Sequence, residues 1–421
     1  MIKMCSYDGA IYDASLVSSN GFLINVSRDI KTELISDSFT GEETDKSKSV
    51  YNFVGFTSNE QNDLFFVFPK HFRIGKVEYD ARLTFGCIAK HLQKRPDLYI
   101  GENSNKMFDS NYPFAAFYEV YNYYTSYGLY VEERTFIKPN AGGRISWKDT
   151  ISRCNKYLVG DNVNLFPIYY KRDYHFTNFI TECMIYVIDY TINKFGFLIG
   201  LELTGEKFPE MNMFEEKQYV ISVLQYLRQQ TFKDREQILI DNIIKFFVKI
   251  NIGGNFYLKH YAFSSVWEDM VTYYLSSYYK GINSNNEIVF DKLTSNHVSF
   301  AKKPFHTNAA SPAQYISPDH YGIDNSNQLI FDAKYYMDIT GMDYKQIAYV
   351  FMLKEIRDSL SSPKKFLKTY SALILPSEYR NTKMHFVMEP LFGKTSADVI
   401  ITEEYIDIVD VMETYCNEYK R

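Results

Sequence analysis

Cysteine is scarce in this sequence, with five residues among 421. The cysteines are scattered and form no CxxC pair; they are Cys5, Cys87, Cys154, Cys183 and Cys416. An odd and unpaired set excludes a disulfide framework or a zinc framework and predicts reduced thiols. The eight histidines contain no HExxH pattern, so zinc catalysis is not expected either.

Long uncharged apolar runs are also missing. The most hydrophobic long stretch, residues 179–201, carries Glu182, Asp189 and Lys194, which is typical of a buried amphipathic helix and not of a membrane span. The N-terminal segment MIKMCSYDGAIYDASL has no apolar run typical of a secretory signal. We therefore expect a soluble cytoplasmic protein that does not bind membranes.

The chain has no excess of positive charge, since 46 Lys and Arg face 51 Asp and Glu, a net charge of −5. This balance argues against a uniformly basic nucleic-acid coat but leaves room for a local basic groove. Residues 343–383 are such a segment, with eight basic and four acidic side chains and a sum of +4: Lys345, Lys354, Arg357, Lys364, Lys365, Lys368, Arg380 and Lys383 against Asp343, Glu355, Asp358 and Glu378. The segment is either a basic lip that follows phosphates or an ordinary mixed helix surface.

A nucleotide-binding loop is absent as well. Residues 393–396 read Gly-Lys-Thr-Ser, like the end of a phosphate-binding loop. Such a loop needs a second glycine five residues before Gly393, and that position is Met388. We therefore expect no nucleotide hydrolysis by this chain alone.

The composition is otherwise that of a globular protein, with 46% hydrophobic and 23% charged residues. A chain of 421 residues exceeds one comfortable core, so two or three domains are expected. Glycine-rich breaks at 140–143 and 253–254 predict three parts. These are an α+β domain over 1–140 for target recognition or partner docking, a mainly helical region over 141–254, and a third domain over 255–421.

Hydrophobic periodicity predicts the elements of each part. In the first part we expect strands at 21–26, 50–56 and 64–69, helices at 81–93 and 113–127, and a solvated loop at 37–49. In the second we expect a short helix beginning at Trp147 and helices at 178–197, 215–231 and 234–250. In the third we expect helices at 264–279, 344–360 and 403–419, with strands at 288–291, 316–324, 328–336, 370–375, 383–390 and 398–402. This order predicts an α/β fold in which helices flank a mixed central sheet.

Two acidic residues in the last part are predicted to lie close together in the fold. Asp319 follows Ser317-Pro318, and Asp332 and Lys334 lie on the strand that starts at 328. Because side chains alternate along a strand, Asp332 and Lys334 share one face, and the Asn325-Ser326-Asn327 turn returns the chain so that Asp319 lies beside Asp332. Two carboxylates there suit Mg²⁺, and Lys334 can help to deprotonate an attacking water and stabilise charge on a phosphate.

Further polar residues flank this pair. Glu268 lies at the margin of a buried helix stripe, where an ionised carboxylate is costly without a metal or a basic partner. Gln346 and Tyr349 lie three residues apart on one helix face, beside Lys345, and could hold a DNA backbone. Lys302 and Lys303 add positive charge just before the Pro-Asp segment.

These segments together resemble a known family. Pro-Asp followed by Asp-Ala-Lys resembles the PD-(D/E)xK nuclease superfamily. The fuller set, VWEDM (266–270), PD (318–319), DAKYY (332–336) and KQIAY (345–349), resembles the LlaJI/BsuMI-type restriction endonucleases, relatives of the McrC nuclease subunit. GRISWKDTI (143–151) is similar to the central region of that family, and VFPKHF (67–72) more weakly so. HYGID (320–324) is less apolar than the strand that usually follows Pro-Asp.

The resemblance implies a restriction-endonuclease-like core in residues 255–421 and Mg²⁺-dependent cleavage of double-stranded DNA by metal-activated water, with Mn²⁺ able to substitute, in a phage-defence restriction system. It implies that Asp319, Asp332 and Glu268 bind the metal and that Lys334 is the catalytic lysine. It further implies a McrB-like AAA+ GTPase partner and a protective cytosine methyltransferase in the same system.

Other readings of the same residues remain open. Asp332 and Lys334 alone could form an ordinary cross-strand ion pair, and Glu268 could be merely solvated. The whole chain could be a non-catalytic DNA-binding or assembly subunit that retains a nuclease-like core, or a nuclease for RNA or single strands.

Overall fold

The computed structural model describes residues 2–36, 43–94, 107–140, 142–160, 162–176, 178–250, 255–293, 297–311, 313–339, 341–353, 368–392 and 399–416. Helices and strands are mixed along the described chain. The helices are α1 Ala14–Ser19, α2 Val26–Asp29, α3 Val77–Lys94, α4 Phe114–Tyr127, α5 Trp147–Arg153, α6 Phe179–Ile199, α7 Lys217–Gln230, α8 Asp234–Lys249, α9 Phe263–Tyr278, α10 Tyr344–Leu353 and α11 Ile408–Cys416. Within these ranges no helix has both the length and the apolar character needed to span a membrane.

The strands fall into several small sheets and two larger ones. They are β1 Ile2–Tyr7, β2 Ile30–Ser36, β3 Glu43–Tyr51, β4 Val54–Ser58, β5 Leu64–Phe68, β6 Phe108–Ser110, β7 Glu132–Pro139, β8 Arg144–Ile145, β9 Asn155–Val159, β10 Asn162–Phe166, β11 Tyr169–Phe176, β12 Tyr257–His260, β13 Tyr279–Ile282, β14 Ile288–Phe290, β15 His320–Asp324, β16 Asn327–Ala333, β17 Lys368–Ser377, β18 Asn381–Val387 and β19 Ile400–Asp407.

The chain separates into two compact units, which differ from the three predicted parts. One unit contains residues 1–112, 197–199 and 253–421, and the other contains residues 113–196 and 200–252. The predicted break at 253–254 coincides with a boundary, whereas the break at 140–143 lies inside the second unit. The first and last parts belong together because β12 pairs with both β4 and β6 in one sheet.

The first larger sheet has the strand order β1-β5-β4-β12-β6. Strands β4 and β5 are buried along their whole length. Their sequences, VGFTS and LFFVF, are mostly apolar, so burial leaves few polar side chains without water. Gly55 has a φ of +140°, and a Cβ there would lie 2.0 Å from the carbonyl oxygen of Leu258 on the neighbouring strand. Only glycine therefore permits this approach of β4 to β12.

The second larger sheet has the order β15-β16-β17-β19-β18. Its three central strands, β16, β17 and β19, are parallel, and the two outer strands are antiparallel to their neighbours. Central parallel strands covered by helices are apolar on both faces, as the fully buried Leu329, Ile330 and Phe331 illustrate. Helix α9 is fastened to this sheet by Trp267, whose buried Nε1–H donates to the carbonyl of Ile374 at 3.2 Å.

The second unit combines helices with strands, whereas residues 141–254 were predicted to be mainly helical. Helices α5, α7 and α8 lie close to their predicted positions, but strands β8, β9, β10 and β11 occupy much of the span between 144 and 176. Helix α6 begins with a capping box in which Asn178 and Thr181 satisfy each other's backbone N–H groups. An aromatic cluster of Tyr186, Phe214 and Phe247 packs among its helices.

Three element predictions are wrong. The predicted strand at 21–26 is an irregular segment that leads into α2. Residues 43–49 of the predicted loop at 37–49 belong to β3, and residues 37–42 lie outside the described residues. The last helix begins at Ile408 and not at 403, because β19 continues to Asp407. Glu403 and Glu404 were interpreted as a helix start, but each has a partner across the sheet: His385 and Arg380, respectively. Residues 354–360 of the predicted helix 344–360 lie outside the described residues.

Candidate active site

The hairpin of β15 and β16 brings Asp319 and Asp332 into contact. Asn325 turns the chain with a φ of +53°, and the register sets His320 opposite Phe331. The N–H of Asp319 donates to Oδ1 of Asp332 at 3.3 Å, and the N–H of Ala333 donates to Oδ2 of Asp319 at 3.3 Å. Both side chains are buried, with 7% and 1% of their surface exposed. The predicted meeting of the two acids at the strand margin is therefore present in the structure.

The strand that follows Pro-Asp forms although its sequence is only partly apolar. His320 is buried, and burial lowers its pKa to about 4, so the ring is neutral at neutral pH. Its Nδ1 lies 3.2 Å from the hydroxyl of Thr272 on α9. Gly322 leaves room for Phe300, which would lie 3.0 Å from a Cβ at that position. The small and polar residues of β15 thus have partners in the packing around them.

Lys334 lies beside the acid pair and is held from two sides. Its N–H donates to the carbonyl of Ile374, which continues the register with β17 beyond the end of β16. Its Nζ lies 3.0 Å from Oδ2 of Asp332 and 2.8 Å from Oδ2 of Asp343. Burial lowers the pKa of Lys334, but the two carboxylates outweigh it and the net pKa is raised, so the side chain remains an ammonium.

Asp343 is a site residue that the sequence reasoning missed. Its Oδ1 accepts the N–H of Gln346 at 2.9 Å, so it caps the first turn of α10 while its other oxygen holds Lys334. Burial alone would raise the pKa of Asp343, but Lys334 and this N–H lower it overall. An aspartate directly before a predicted helix is a capping signal that could have identified it.

A chain of hydrogen bonds connects Asp343 to β18 and β19, the two strands at the opposite edge of the sheet from β15. The N–H of Asp343 donates to Nε2 of His385 at 3.1 Å, and Nδ1 of His385 lies 2.8 Å from Oε1 of Glu403. Because Nε2 accepts, the ring proton must be on Nδ1, which donates to Glu403. The hydroxyl of Tyr405 donates to the second oxygen of Glu403 at 2.6 Å. Strands β18 and β19 therefore help to fix the N-terminus of α10 and, through it, Lys334.

Glu268 reaches the same site from α9. Its Oε2 lies 3.2 Å from Nζ of Lys302, and the same Nζ lies 3.1 Å from Oδ1 of Asp319. Lys302, which the sequence reasoning noted only for its charge, therefore lies between the two acids. The structure brings Glu268 towards the pair but separates it from Asp319 by an ammonium group.

Of the three predicted DNA-backbone residues, only Lys345 has a substantially exposed side chain. Its Nζ is 3.3 Å from Oδ2 of Asp332, and half of its side chain is exposed. Gln346 is fully buried, and its Nε2 donates to the carbonyl of Ile330 at 2.8 Å and to the hydroxyl of Ser371 at 2.9 Å. Tyr349 is buried and donates to the carbonyl of Ser317 at 3.0 Å. Gln346 thus fastens α10 to the sheet and Tyr349 fastens it to the segment before β15, positions that do not fit the predicted backbone role.

The family model of the LlaJI restriction endonucleases matches residues 53–387. The chain belongs to the LlaJI restriction endonuclease family. The matched span includes the acids and lysines of the site, from Glu268 to Lys345, together with His385, whereas Glu403 and Tyr405 lie beyond its end. Among solved structures, the chain is similar to one from the half-complex of the tetradecameric assembly of Thermococcus gammatolerans McrB AAA+ hexamers with bound McrC, at 10% identity and a TM-score of 0.39, over 90% of this chain and 84% of that one. No curated protein matches the chain.

The buried acids of this LlaJI family member are electrostatically strained. Burial and, after it, the nearby Asp319 raise the pKa of Asp332, and the same two causes raise the pKa of Glu268. The lysines oppose these shifts but do not cancel them. Additional positive charge near the acids would therefore favour their ionised forms.

The donor set fits a hard divalent cation, although it forms no ready-made cage. Within the described ranges, no group of three or more His, Cys, Asp and Glu side chains is arranged to hold a metal ion. Asp319 and Asp332 nevertheless supply adjacent carboxylate oxygens, and Mg²⁺ is usually held by one or two carboxylates together with water and substrate phosphate. The predicted third ligand, Glu268, does not converge with them because Lys302 lies between.

Part of the predicted basic lip has other partners in this LlaJI family member. Arg380 pairs with the buried Glu404, Lys368 donates to the side chain of Asn286 at 2.6 Å, and Lys383 lies over the ring of Tyr405. Residues 354–367 lie outside the described residues. Lys345 is the member of the lip that the structure places at the acids.

We expect Glu268→Gln to stabilise the protein at neutral and alkaline pH. The pKa of Glu268 is higher in the folded protein than in the unfolded chain, so the unfolded chain loses this proton first as the pH rises. The free energy of unfolding is therefore unaffected by Glu268 below the unfolded pKa and falls as the pH rises through the folded pKa. Glutamine carries no charge at any pH and avoids this loss. The melting temperature of the variant should exceed that of the wild type at about pH 8, and the difference should shrink towards pH 5.

The matched control is Glu60→Gln on an exposed turn, which should melt with the wild type at every pH. A Glu268→Gln protein that is less stable than the wild type at about pH 8 would contradict the electrostatic account.

Proposed function

We propose that this chain is the Mg²⁺-dependent endonuclease subunit of a restriction system and that it hydrolyses phosphodiesters of double-stranded DNA. The observation that carries the proposal is the buried pair of Asp319 and Asp332 with Lys334 bound to it, within a member of a restriction endonuclease family. A buried acid with a raised pKa beside lysines, as Asp332 is, is typical of active sites.

The sheet supports a PD-(D/E)xK core arrangement. The hairpin β15–β16 leads into parallel β17 and β19, with α9 and α10 packed on β16. Both acids and Lys334 come from this hairpin and its immediate ends, and Glu268 comes from α9. A mixed sheet with helices on it holds such side chains more rigidly than loops do.

Each side chain has a proposed task. Asp319 and Asp332 would hold Mg²⁺ or Mn²⁺, which when bound supplies Lewis-acid polarisation of the phosphate and activation of water. Lys334, kept charged by Asp332 and Asp343, donates hydrogen bonds to the attacking oxygen or to the phosphate oxygens as negative charge develops. Lys345, which is half exposed at the same acid, contacts the DNA backbone.

We expect Asp332→Ala and Lys334→Ala each to reduce cleavage of duplex DNA by on the order of 10³-fold or more. The first removes a proposed metal ligand, and the second removes the only ammonium that is clamped between Asp332 and Asp343 among the described residues. The measurement is plasmid nicking in Mg²⁺ with the complete system, with circular dichroism to show that both variants are folded.

Lys303→Met is the control, since Lys303 lies over the rings of Phe305 and Tyr321 instead of at the acids. Nicking at the wild-type rate by either alanine variant would refute the catalytic assignment. A wild-type protein that binds DNA but cleaves no duplex, single-stranded or RNA substrate would favour the non-catalytic assembly subunit.

We also propose that the chain works with a McrB-like AAA+ GTPase and alongside a protective methyltransferase. The support is the family together with the sequence, in which Met388 stands where a phosphate-binding loop needs glycine. The partner would then supply nucleotide hydrolysis and this chain the nuclease residues.

Nucleotide should therefore affect cleavage only when the partner is present. GTP or ATP added to the purified chain should leave its nicking rate unchanged, whereas GTP added with the partner should raise it. Stimulation of the purified chain alone by either nucleotide would contradict the division of labour.

A further inference from the structure

Lys302 is the feature of the site that the proposed chemistry does not use. Its Nζ lies within 3.2 Å of a carboxylate oxygen of both Glu268 and Asp319. The residue before it, Ala301, exchanges two backbone hydrogen bonds with Tyr321 on β15, at 3.0 and 3.2 Å. The main chain at Lys302 is thus anchored beside the site, while 57% of its side chain is exposed.

We propose that Lys302 is an internal counter-cation that occupies the space between Glu268 and Asp319 and competes with the divalent cation for these carboxylates. This inference rests on the proposed function, because it concerns the same metal site. It assigns a role to a lysine that does not take part in bond breaking.

The distances give the first reason for competition. The ammonium nitrogen lies 3.1 and 3.2 Å from the two oxygens, whereas Mg²⁺ binds oxygen at about 2.0–2.1 Å. Each oxygen must therefore lie about 1 Å closer to a Mg²⁺ ion that takes the place of the ammonium before Glu268 can join Asp319 as a ligand. The ammonium occupies the position that the cation would need, and its positive charge repels an incoming cation.

Lys334 and Lys302 differ in their freedom to move. Lys334 is 10% exposed and held by Asp332 and Asp343, so it stays in place. Lys302 is largely exposed and sits on a flexible four-carbon stem, so it can leave the acids at little cost. A DNA phosphate offers a replacement partner for its ammonium.

It follows that metal and DNA should bind cooperatively. In the free protein Lys302 neutralises Glu268 and Asp319 and weakens metal binding. When Lys302 moves to a phosphate, the carboxylates become available and bind the cation more tightly. By linkage, the metal should strengthen DNA binding by the same factor.

The test is the affinity of Mn²⁺ for the full-length chain without DNA, followed by electron paramagnetic resonance of free Mn²⁺. Lys302→Met should bind Mn²⁺ roughly tenfold more tightly than the wild type, because a competing positive charge is gone. Lys302→Arg keeps the charge and should bind like the wild type. Lys303→Met, a neighbouring lysine with aromatic partners, should also bind like the wild type.

An unchanged or weaker Mn²⁺ affinity of Lys302→Met would overturn the inference. If at the same time the wild type binds Mn²⁺ and Asp332→Ala does not, the metal site of the proposed function stands and only the role of Lys302 fails. If neither the wild type nor Lys302→Met binds Mn²⁺, the proposed metal site fails together with the inference.

Discussion

The site depends on two hydrogen bonds from main-chain N–H groups to the carboxylates of Asp319 and Asp332. The N–H of Asp319 donates to Asp332 and the N–H of Ala333 donates to Asp319, so the hairpin β15–β16 holds the two carboxylates together. Placing like charges side by side in a buried position costs free energy, which the raised pKa of Asp332 reflects. The surrounding structure is organised to tolerate that cost: Lys302, Lys334 and Lys345 each lie within 3.3 Å of one of the two acids.

The two helices at the site are fastened to the sheet by buried polar contacts. Trp267 bonds α9 to the carbonyl of Ile374, and Gln346 bonds α10 to Ile330 and Ser371. Ile374 also accepts the N–H of Lys334, so one strand residue positions both the helix that carries Glu268 and the lysine. Such shared contacts keep the side chains of several elements in fixed relation, which catalysis requires more than stability does.

The central part of the site could be predicted because it depends on local rules. Alternation along one strand gives the common face of Asp332 and Lys334, and a short turn returns the chain to Asp319. Lys302 could not be placed in the same way, since it meets Glu268 of a segment that is distant in sequence. The capping position of Asp343 is readable from the sequence, but its contact with Lys334 is not. Gln346 was misread because a polar residue early in a helix is usually exposed, whereas here its amide fills a buried position with backbone and hydroxyl partners. Glu403 and Glu404, at the centre of β19, were likewise assigned to a helix because charged side chains are usually exposed, whereas these two lie within the sheet.

The central claim is that Asp319 and Asp332 share a divalent cation. The most direct measurement is the anomalous diffraction of crystals of the full-length protein soaked in Mn²⁺. The account predicts one anomalous peak within coordination distance, about 2.2 Å, of a carboxylate oxygen of each residue, and no such peak in Asp332→Ala crystals. A peak that lies elsewhere, or one that contacts neither carboxylate, would contradict it.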